Sequence, residues 1–234
     1  MRSYEMTIAD FDKVLVCSPA DREFLSHNVA TACVEVLPNG IDTEIFAPRP
    51  DVVVDDKRVV FTGNMTYFPN TDGAQYLAQD IWPLVKSRVP DAKLYLVGQN
   101  PPPSVARLAA EDIFVTGFVP SIQEEYAKSA VAVSPIRFGA GTLNKILEPL
   151  AMGIPVVCTD IGISGLDLQQ GKDVLVASTA EGLADHIVKL LGDKSLRHAV
   201  GTSAMERIRS RFSWSTVGRT LQGVYERVAQ SEVR

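Results

Sequence analysis

Lys145 and Glu148 stand three residues apart, directly behind the stretch Phe138, Gly139, Ala140, Gly141, Thr142, Leu143 and Asn144. Two glycines in four positions let a backbone approach a ligand closely. Residues 142–152 then carry apolar side chains at Leu143, Ile146, Leu147 and Leu150, the spacing of one helical face. Such a helix puts Lys145 and Glu148 on a common face one turn apart. Its unpaired N–H groups collect at residues 141–144, where the positive end of the helix dipole also lies, so the helix start is an anion site with a lysine one turn further in. At about 1.5 Å of rise per residue, Thr142 and Glu148 are roughly 9 Å apart along the axis. That span suits a nucleotide lying along the helix, diphosphate at the start and ribose hydroxyls at the carboxylate. Spacing alone leaves a second reading open, in which Lys145 and Glu148 are an exposed ion pair contributing about 0.2–0.5 kcal/mol.

The elements around this stretch repeat a simple pattern. Strand-like runs RVVFTG, KLYLVG, IFVTG, AVAVSP, PVVCT and DVLVAS follow one another from Arg58, separated by helix-like segments. Strands alternating with helices predict a parallel, doubly wound α/β sheet, and the nearly continuous apolar character of the runs fits strands covered on both faces. Ligands in such sheets bind beyond the carboxyl ends of the strands, which makes the loops at Gly63, Gly98, Gly117 and Pro135 site candidates. Residues 70–89 read as a long helix capped by Asn70 or Thr71, kinked or ended at Pro83. Three more helices are expected over residues 180–191, 196–211 and 215–228, the last entered through Phe212, Ser213 and Trp214. Pro149 should bend or weaken the helix bearing Glu148, because it cannot donate to the carbonyl of Lys145.

Before this regular region, residues 11–17 read as a buried strand and Ser18 as the cap of a short helix with Asp21 at its third position. Residues 34–37 form another short strand, and Pro38, Asn39 and Gly40 a turn. The chain of 234 residues has 46% hydrophobic content and a net charge of −5. That is enough to bury one large core or two small ones, and the charge speaks against a nucleic-acid partner, since no basic tract is present. Cys17, Cys33 and Cys158 lack metal-ligand spacing. No stretch reaches the ~18 apolar residues of a membrane span. A cytoplasmic setting is expected, with peripheral attachment at the inner face of a membrane left open.

The whole string FGAGTLNKILEPLAMGIPVV, with Gly153 at the helix exit and Pro155 opening the next strand, resembles the donor-binding signature of GT-B glycosyltransferases of the retaining family 4 (group 1). Within it the sequence is most similar to bacterial sugar transferases of exopolysaccharide clusters. The resemblance implies a Rossmann-like donor half of a GT-B fold over residues 51–212, preceded by a remnant of the acceptor half and linker over residues 1–50, and followed by a crossover helix over residues 213–234. It implies transfer of a sugar from a UDP- or GDP-sugar to a saccharide or lipid-linked acceptor, with retention, no cofactor and no metal. Residue by residue, it gives Glu148 the donor ribose and Lys145 the diphosphate. Gly139, Ala140, Gly141, Thr142 and Leu143 would face diphosphate and sugar, Gly63 and Asn64 would close the phosphate side with Gly98 beside them, and the loop with Val119 and Pro120 would hold the base.

Departures from the family pattern bear on how the phosphates are held. Many members carry an arginine just after the first strand's glycine and a lysine five residues on; Asn64 and Pro69 stand there. Ala140 replaces the first carboxylate of a glutamate pair, and Leu143 and Asn144 stand where the glycine-alanine-glycine type of loop usually has an arginine. Grip on the diphosphate would then rest on Lys145 and the helix start. A noncatalytic nucleotide-sugar-binding module, a subunit completed by a separate acceptor domain and a related nucleotide-sugar epimerase stay open as alternatives. Residues 1–50 and 213–234 are the expected surfaces of self-association or of an acceptor-domain partner, because the strand near residues 13–17 would lack neighbours; left unpaired, the N-terminal segment is expected to be mobile.

Overall fold

In the computed structural model, residues 8, 11–29, 33–138, 144–163 and 165–231 are described. The elements run β1 (Val14–Val16), α1 (Pro19–Asn28), β2 (Val34–Val36), β3 (Asp55–Thr62), α2 (Phe68–Tyr76), a π turn (Leu77–Ile81), α3 (Trp82–Lys86), β4 (Lys93–Val97), α4 (Pro103–Ala106) and β5 (Ile113–Gly117). They continue as α5 (Ile122–Ala127), β6 (Ser129–Ser134), α6 (Asn144–Ala151), β7 (Val156–Cys158), α7 (Asp160–Ile163), β8 (Leu175–Val176), α8 (Ala180–Gly192), α9 (Lys194–Phe212) and α10 (Trp214–Ser231).

All six anticipated runs become strands of one parallel sheet in the order β5-β4-β3-β6-β7-β8. The chain therefore winds outward from β3 to one edge, crosses back to β6, and winds outward to the other edge. The crevice of such a sheet opens at the switch between β3 and β6, beyond their carboxyl ends. Side chains alternate across the sheet into two cores. Val59 and Phe61 of β3 face the layer of α2, α3 and α8, with Leu77, Ile81 and Trp82 buried there. Val60 faces the layer of α6 and α9, where Ile146, Leu147, Leu150 and Ile208 are buried. The sheet is covered on both faces, which is why the central positions of its strands, Val59–Phe61 of β3, Ala130–Val133 of β6 and Val156–Cys158 of β7, are apolar and buried.

Two helices depart from expectation in ways that matter for the site. The helix after β3 begins at Phe68, not at Asn70, with Pro69 in its first turn. Proline fits that position because its missing N–H has no helical partner there. The first α-helical section ends at Tyr76 and Pro83 lies in the first turn of the next, α3; between them the turn widens to a π turn, in which the N–H of Trp82 donates to the carbonyl of Leu77. The wider turn accommodates the ring that would collide with the carbonyl four residues back. Pro149, by contrast, lies inside α6, and the helix runs through it to Ala151. It closes with Ile154 N–H donating to Pro149 and Gly153 N–H to Leu150, at 2.9 and 3.0 Å, and with Gly153 at φ 78. This is a Schellman close, and a glycine takes the left-handed position without a Cβ penalty. Helix α9 fixes α6 from outside: a Cβ at Gly201 would stand 2.0 Å from the carbonyl oxygen of Gly153.

The N-terminal strand is not left alone. β1 pairs with β2 in a two-stranded parallel sheet, tied by an ion pair of Lys13 with Glu35 at 2.6 Å. Ser18 caps α1 as expected, accepting from the N–H of Asp21 at 3.1 Å. The connector after it is stitched to the entry of α10: Ile41 N–H donates to Phe212 at 2.7 Å, and Trp214 N–H donates to Ile41 at 3.2 Å. Phe212 is buried, while the ring of Trp214 lies over Gly40, where a Cβ would come within 2.5 Å of it. Further along α10, Arg227 pairs with Glu35 at 2.6 Å and Val224 is buried. No helix among the described residues is long and apolar enough to cross a membrane. Of the cysteines, Cys158 is buried, Cys17 half-buried and Cys33 exposed.

Candidate functional site

A cavity of about 440 Å³ opens at the carboxyl ends of β3, β4 and β5 and is closed on one side by the first turns of α6. Thr62, Gly63 and Asn64 line it from β3, Val97, Gly98 and Gln99 from β4, Phe118, Val119 and Ile122 from the β5–α5 loop, and Asn144, Lys145 and Glu148 from α6; Asn70 of α2 completes the wall. Lys145, Glu148, Gly63, Asn64, Gly98 and Val119, singled out from sequence, thus meet in one place. Pro120 is exposed and does not line the cavity. Gly139, Ala140, Gly141, Thr142 and Leu143 lie outside the described residues, so the described part of the helix begins at Asn144.

The strand ends are laced together. Gly63 N–H donates to Val97 at 3.0 Å, Met65 N–H to Gln99 at 3.2 Å, and Gly98 N–H to Gly117 at 3.1 Å. A Cβ at Gly98 would stand 1.7 Å from the carbonyl oxygen of Gly63, and one at Gly63 would stand 2.7 Å from the amide of Asn70. Both glycines are therefore required by close approach of other groups.

Asn70 is the centre of this corner. Read from sequence as a helix cap, it is instead a buried residue within α2. Its Nδ2 donates to the carbonyl of Asn64 at 2.8 Å, and its Oδ1 accepts from Nζ of Lys145. Asn64 turns its own side chain back on its loop, accepting from Thr66 N–H at 3.1 Å and Thr66 Oγ1 at 2.8 Å. The ammonium of Lys145 also lies 5.3 Å from the ring centroid of Phe61. Burial pushes the Lys145 amine down to about 8, opposed by the nearby charge of Glu148. An amine in an apolar wall loses hydration that one amide acceptor does not fully replace.

Glu148 is held from the other side. Tyr126, wholly buried on α5, donates its hydroxyl to Oε2 of Glu148 at 2.9 Å, and the same hydroxyl lies 2.6 Å from Oγ1 of Thr62. A phenol has one proton, and Glu148 takes it, so Thr62 is the donor to Tyr126. Burial raises the Glu148 carboxyl above its ordinary range, while the hydrogen bond from Tyr126 and the charge of Lys145 pull it back. Burial, with the neighbouring carboxylate second, holds the Tyr126 hydroxyl protonated far above its ordinary value. The cavity therefore offers a cation at the α6 start, a carboxylate one turn on, and an apolar end at Phe118, Val119 and Ile122. Sequence reading missed Thr62, Asn70, Gln99, Ile122 and Tyr126. A signal existed for Tyr126, because a tyrosine inside an apolar helix face must find a partner for its hydroxyl.

This arrangement, a parallel doubly wound sheet with a cation and a carboxylate on the helix beside its switch point, defines a doubly wound α/β unit with a polar cleft at the carboxyl ends of its strands. The family model for "Glycosyl transferases group 1" matches residues 56–193, more than half of the chain, and the chain belongs to that family. Among curated relatives, a "GDP-mannose-dependent alpha-(1-6)-phosphatidylinositol monomannoside mannosyltransferase" of Mycobacterium tuberculosis is 27% identical over 228 residues, covering 88% of this chain and 59% of that protein. Among solved structures, sucrose-phosphate synthase from Thermosynechococcus elongatus superposes with a TM-score of 0.80 at 18% identity, over 97% of this chain and 61% of the other. Anabaena HepE, solved with UDP-glucose, gives 0.75 at 15% identity, over 96% and 68%. These likenesses establish the GT-B glycosyltransferase fold. The chain spans about 60% of the length of the curated relatives it matches.

Proposed function

We propose that this chain is the donor-binding half of a sugar transferase. It binds a nucleoside diphosphate sugar along α6 and stabilises the departing diphosphate, and the sugar passes with retention to a saccharide or lipid-linked acceptor without a metal. The observation that carries the reading is the placing of Lys145 and Glu148, one turn apart on α6, in the wall of a cavity that also receives the carboxyl ends of β3 and β4.

The roles follow from chemistry. Lys145 meets the diphosphate as a charge-assisted donor, on the side closed by the Gly63 and Asn64 backbone. Glu148 accepts from ribose hydroxyls, and the apolar end at Phe118, Val119 and Ile122 packs against the base. Among the similar proteins, one is GDP-mannose-dependent and another was solved with UDP-glucose, which supports a nucleotide-sugar donor and leaves both bases as probes. Residues 51–212 form the donor unit in this reading, with residues 1–50 and 213–234 joining it to the acceptor side. The acceptor wall and the groups reaching across from it belong to a second α/β unit. Orienting two reactants can lower a barrier by about 7–11 kcal/mol, which one wall does not supply.

Titration calorimetry of the 234-residue protein with UDP and GDP tests this. Binding of at least one, weakened roughly 10- to 150-fold by Glu148→Ala as expected for a contact to a charged group, supports the assignment. An affinity of the variant unchanged from wild type for both nucleotides refutes it. Transfer to an added saccharide by this chain alone would refute the division into two walls.

A further inference from the structure

We infer that Tyr126 and Thr62 are positioning residues for the donor ribose: together they fix the plane of the Glu148 carboxylate, so that its acceptor geometry is set before a nucleotide arrives. The inference rests on the reading of Glu148 given above and assigns to two buried hydroxyls a task that neither performs by touching ligand chemistry.

The geometry is directional. Thr62 lies at the last position of β3, lines the cavity and is buried. Its hydroxyl reaches Tyr126 at 2.6 Å, and Tyr126 reaches Oε2 of Glu148 at 2.9 Å. Each proton in this chain has one place to go. The phenol gives its only proton to the carboxylate, and the threonine gives its own to the phenol oxygen. Tyr126 is packed on all sides, with its ring in the core beneath α6. It does not adjust to a carboxylate; the carboxylate adjusts to it. Glutamate has three side-chain torsions and would otherwise sample several orientations in an open cavity, at an entropic cost on binding. Anchoring one oxygen to a rigid donor removes that freedom and orients the acid toward two vicinal hydroxyls. A chain of hydrogen bonds in a poorly hydrated wall also polarises along its length, strengthening the terminal contact.

A purely structural role for Tyr126 predicts something different. If the hydroxyl only satisfies core packing, its loss weakens the fold and affects all ligands alike. If it aims Glu148, its loss affects only ligands whose ribose bears hydroxyls.

The test measures binding of UDP, GDP and their 2′,3′-dideoxy analogues to wild type and Tyr126→Phe by calorimetry. Wild type should prefer the ribonucleotide by roughly 10- to 100-fold, the range of one or two hydrogen bonds to a charged acceptor. Tyr126→Phe should lower that preference about five- to tenfold while leaving affinity for the dideoxy analogue unchanged. Should Tyr126→Phe lose its far-ultraviolet dichroism, the same ratio is read in Thr62→Val/Tyr126→Phe, which leaves no buried hydroxyl unpaired. An unchanged ratio overturns the inference, as does equal weakening toward both nucleotides. A wild type that binds both forms equally overturns the ribose role of Glu148 and this inference with it. Absence of any nucleotide binding overturns the proposed function itself.

Discussion

The lysine whose amine is held near 8 gives the sharpest test of how the site is built. Lys145 donates to the amide oxygen of Asn70, a neutral acceptor, and burial lowers its affinity for the proton from the ordinary 10.5 to about 8. A diphosphate beside it supplies a full negative charge and should return the amine to its ordinary range or above. Binding must then take up protons wherever the empty site has partly lost them. With the empty amine at about 8, uptake is about 0.1 proton at pH 7 and about 0.5 at pH 8. The sign follows directly: the ligand favours the charged form, so affinity falls as pH rises through 8, by about tenfold between pH 7 and pH 9 if the bound amine stays protonated. Lys145→Met should weaken diphosphate binding roughly 10- to 150-fold, the range of a charge-assisted contact, less what Asn70 gives up in the native site. The assay is calorimetry with UDP or GDP in buffers of different ionisation enthalpy at pH 7 and pH 8, on wild type and Lys145→Met. The variant corrects for protons carried by the nucleotide. The same proton count at pH 8 in both proteins would refute the argument, because it would mean that the amine is either fully charged in the empty site or remote from the phosphates.

Gly98→Ala places a Cβ within 1.7 Å of the Gly63 carbonyl oxygen, a backbone atom that cannot swing aside; urea denaturation should show a loss of about 2 kcal/mol or more, and nucleotide affinity should fall with it. A chain beginning at Asp51 loses the two backbone hydrogen bonds of Ile41 with Phe212 and Trp214 and the burial of Ile41, together about 3–5 kcal/mol. Light scattering and denaturation of the two chains side by side check this, and equal stability with equal monomer content would show that residues 1–50 matter to neither property.

What was legible in the sequence was whatever depends on period and type. Six apolar runs alternating with amphipathic segments gave the parallel sheet because strands covered on both faces must be apolar throughout. Lys145 and Glu148 were readable as a same-face pair because helical spacing fixes it. What stayed hidden was contact across the sheet. Asn70 looked like a cap because asparagine is common there, yet Pro69 fits the first turn, moves the helix start to Phe68, and so turns Asn70 inward toward Lys145. Tyr126 sits 22 residues from Glu148 in the chain, and Thr62 stands 64 from Tyr126. No local pattern joins such residues.

The hidden contacts also explain the departures noted at Asn64 and Pro69. Asn64 and Pro69, standing where the family resemblance places an arginine and a lysine, border a corner of neutral hydrogen bonds: Asn70 donates to the Asn64 carbonyl, and the Asn64 side chain accepts from Thr66. A cation at position 64 would share the cavity with Lys145 and lower the amine further by like charge. With asparagine and proline there, Lys145 has an amide partner and a carboxylate one turn away. In the proposed role, the site's recognition of a diphosphate rests on a single titratable amine held near 8. That arrangement makes its affinity sensitive to pH just above neutrality, where a site gripping through arginine would be indifferent, since guanidinium does not titrate there.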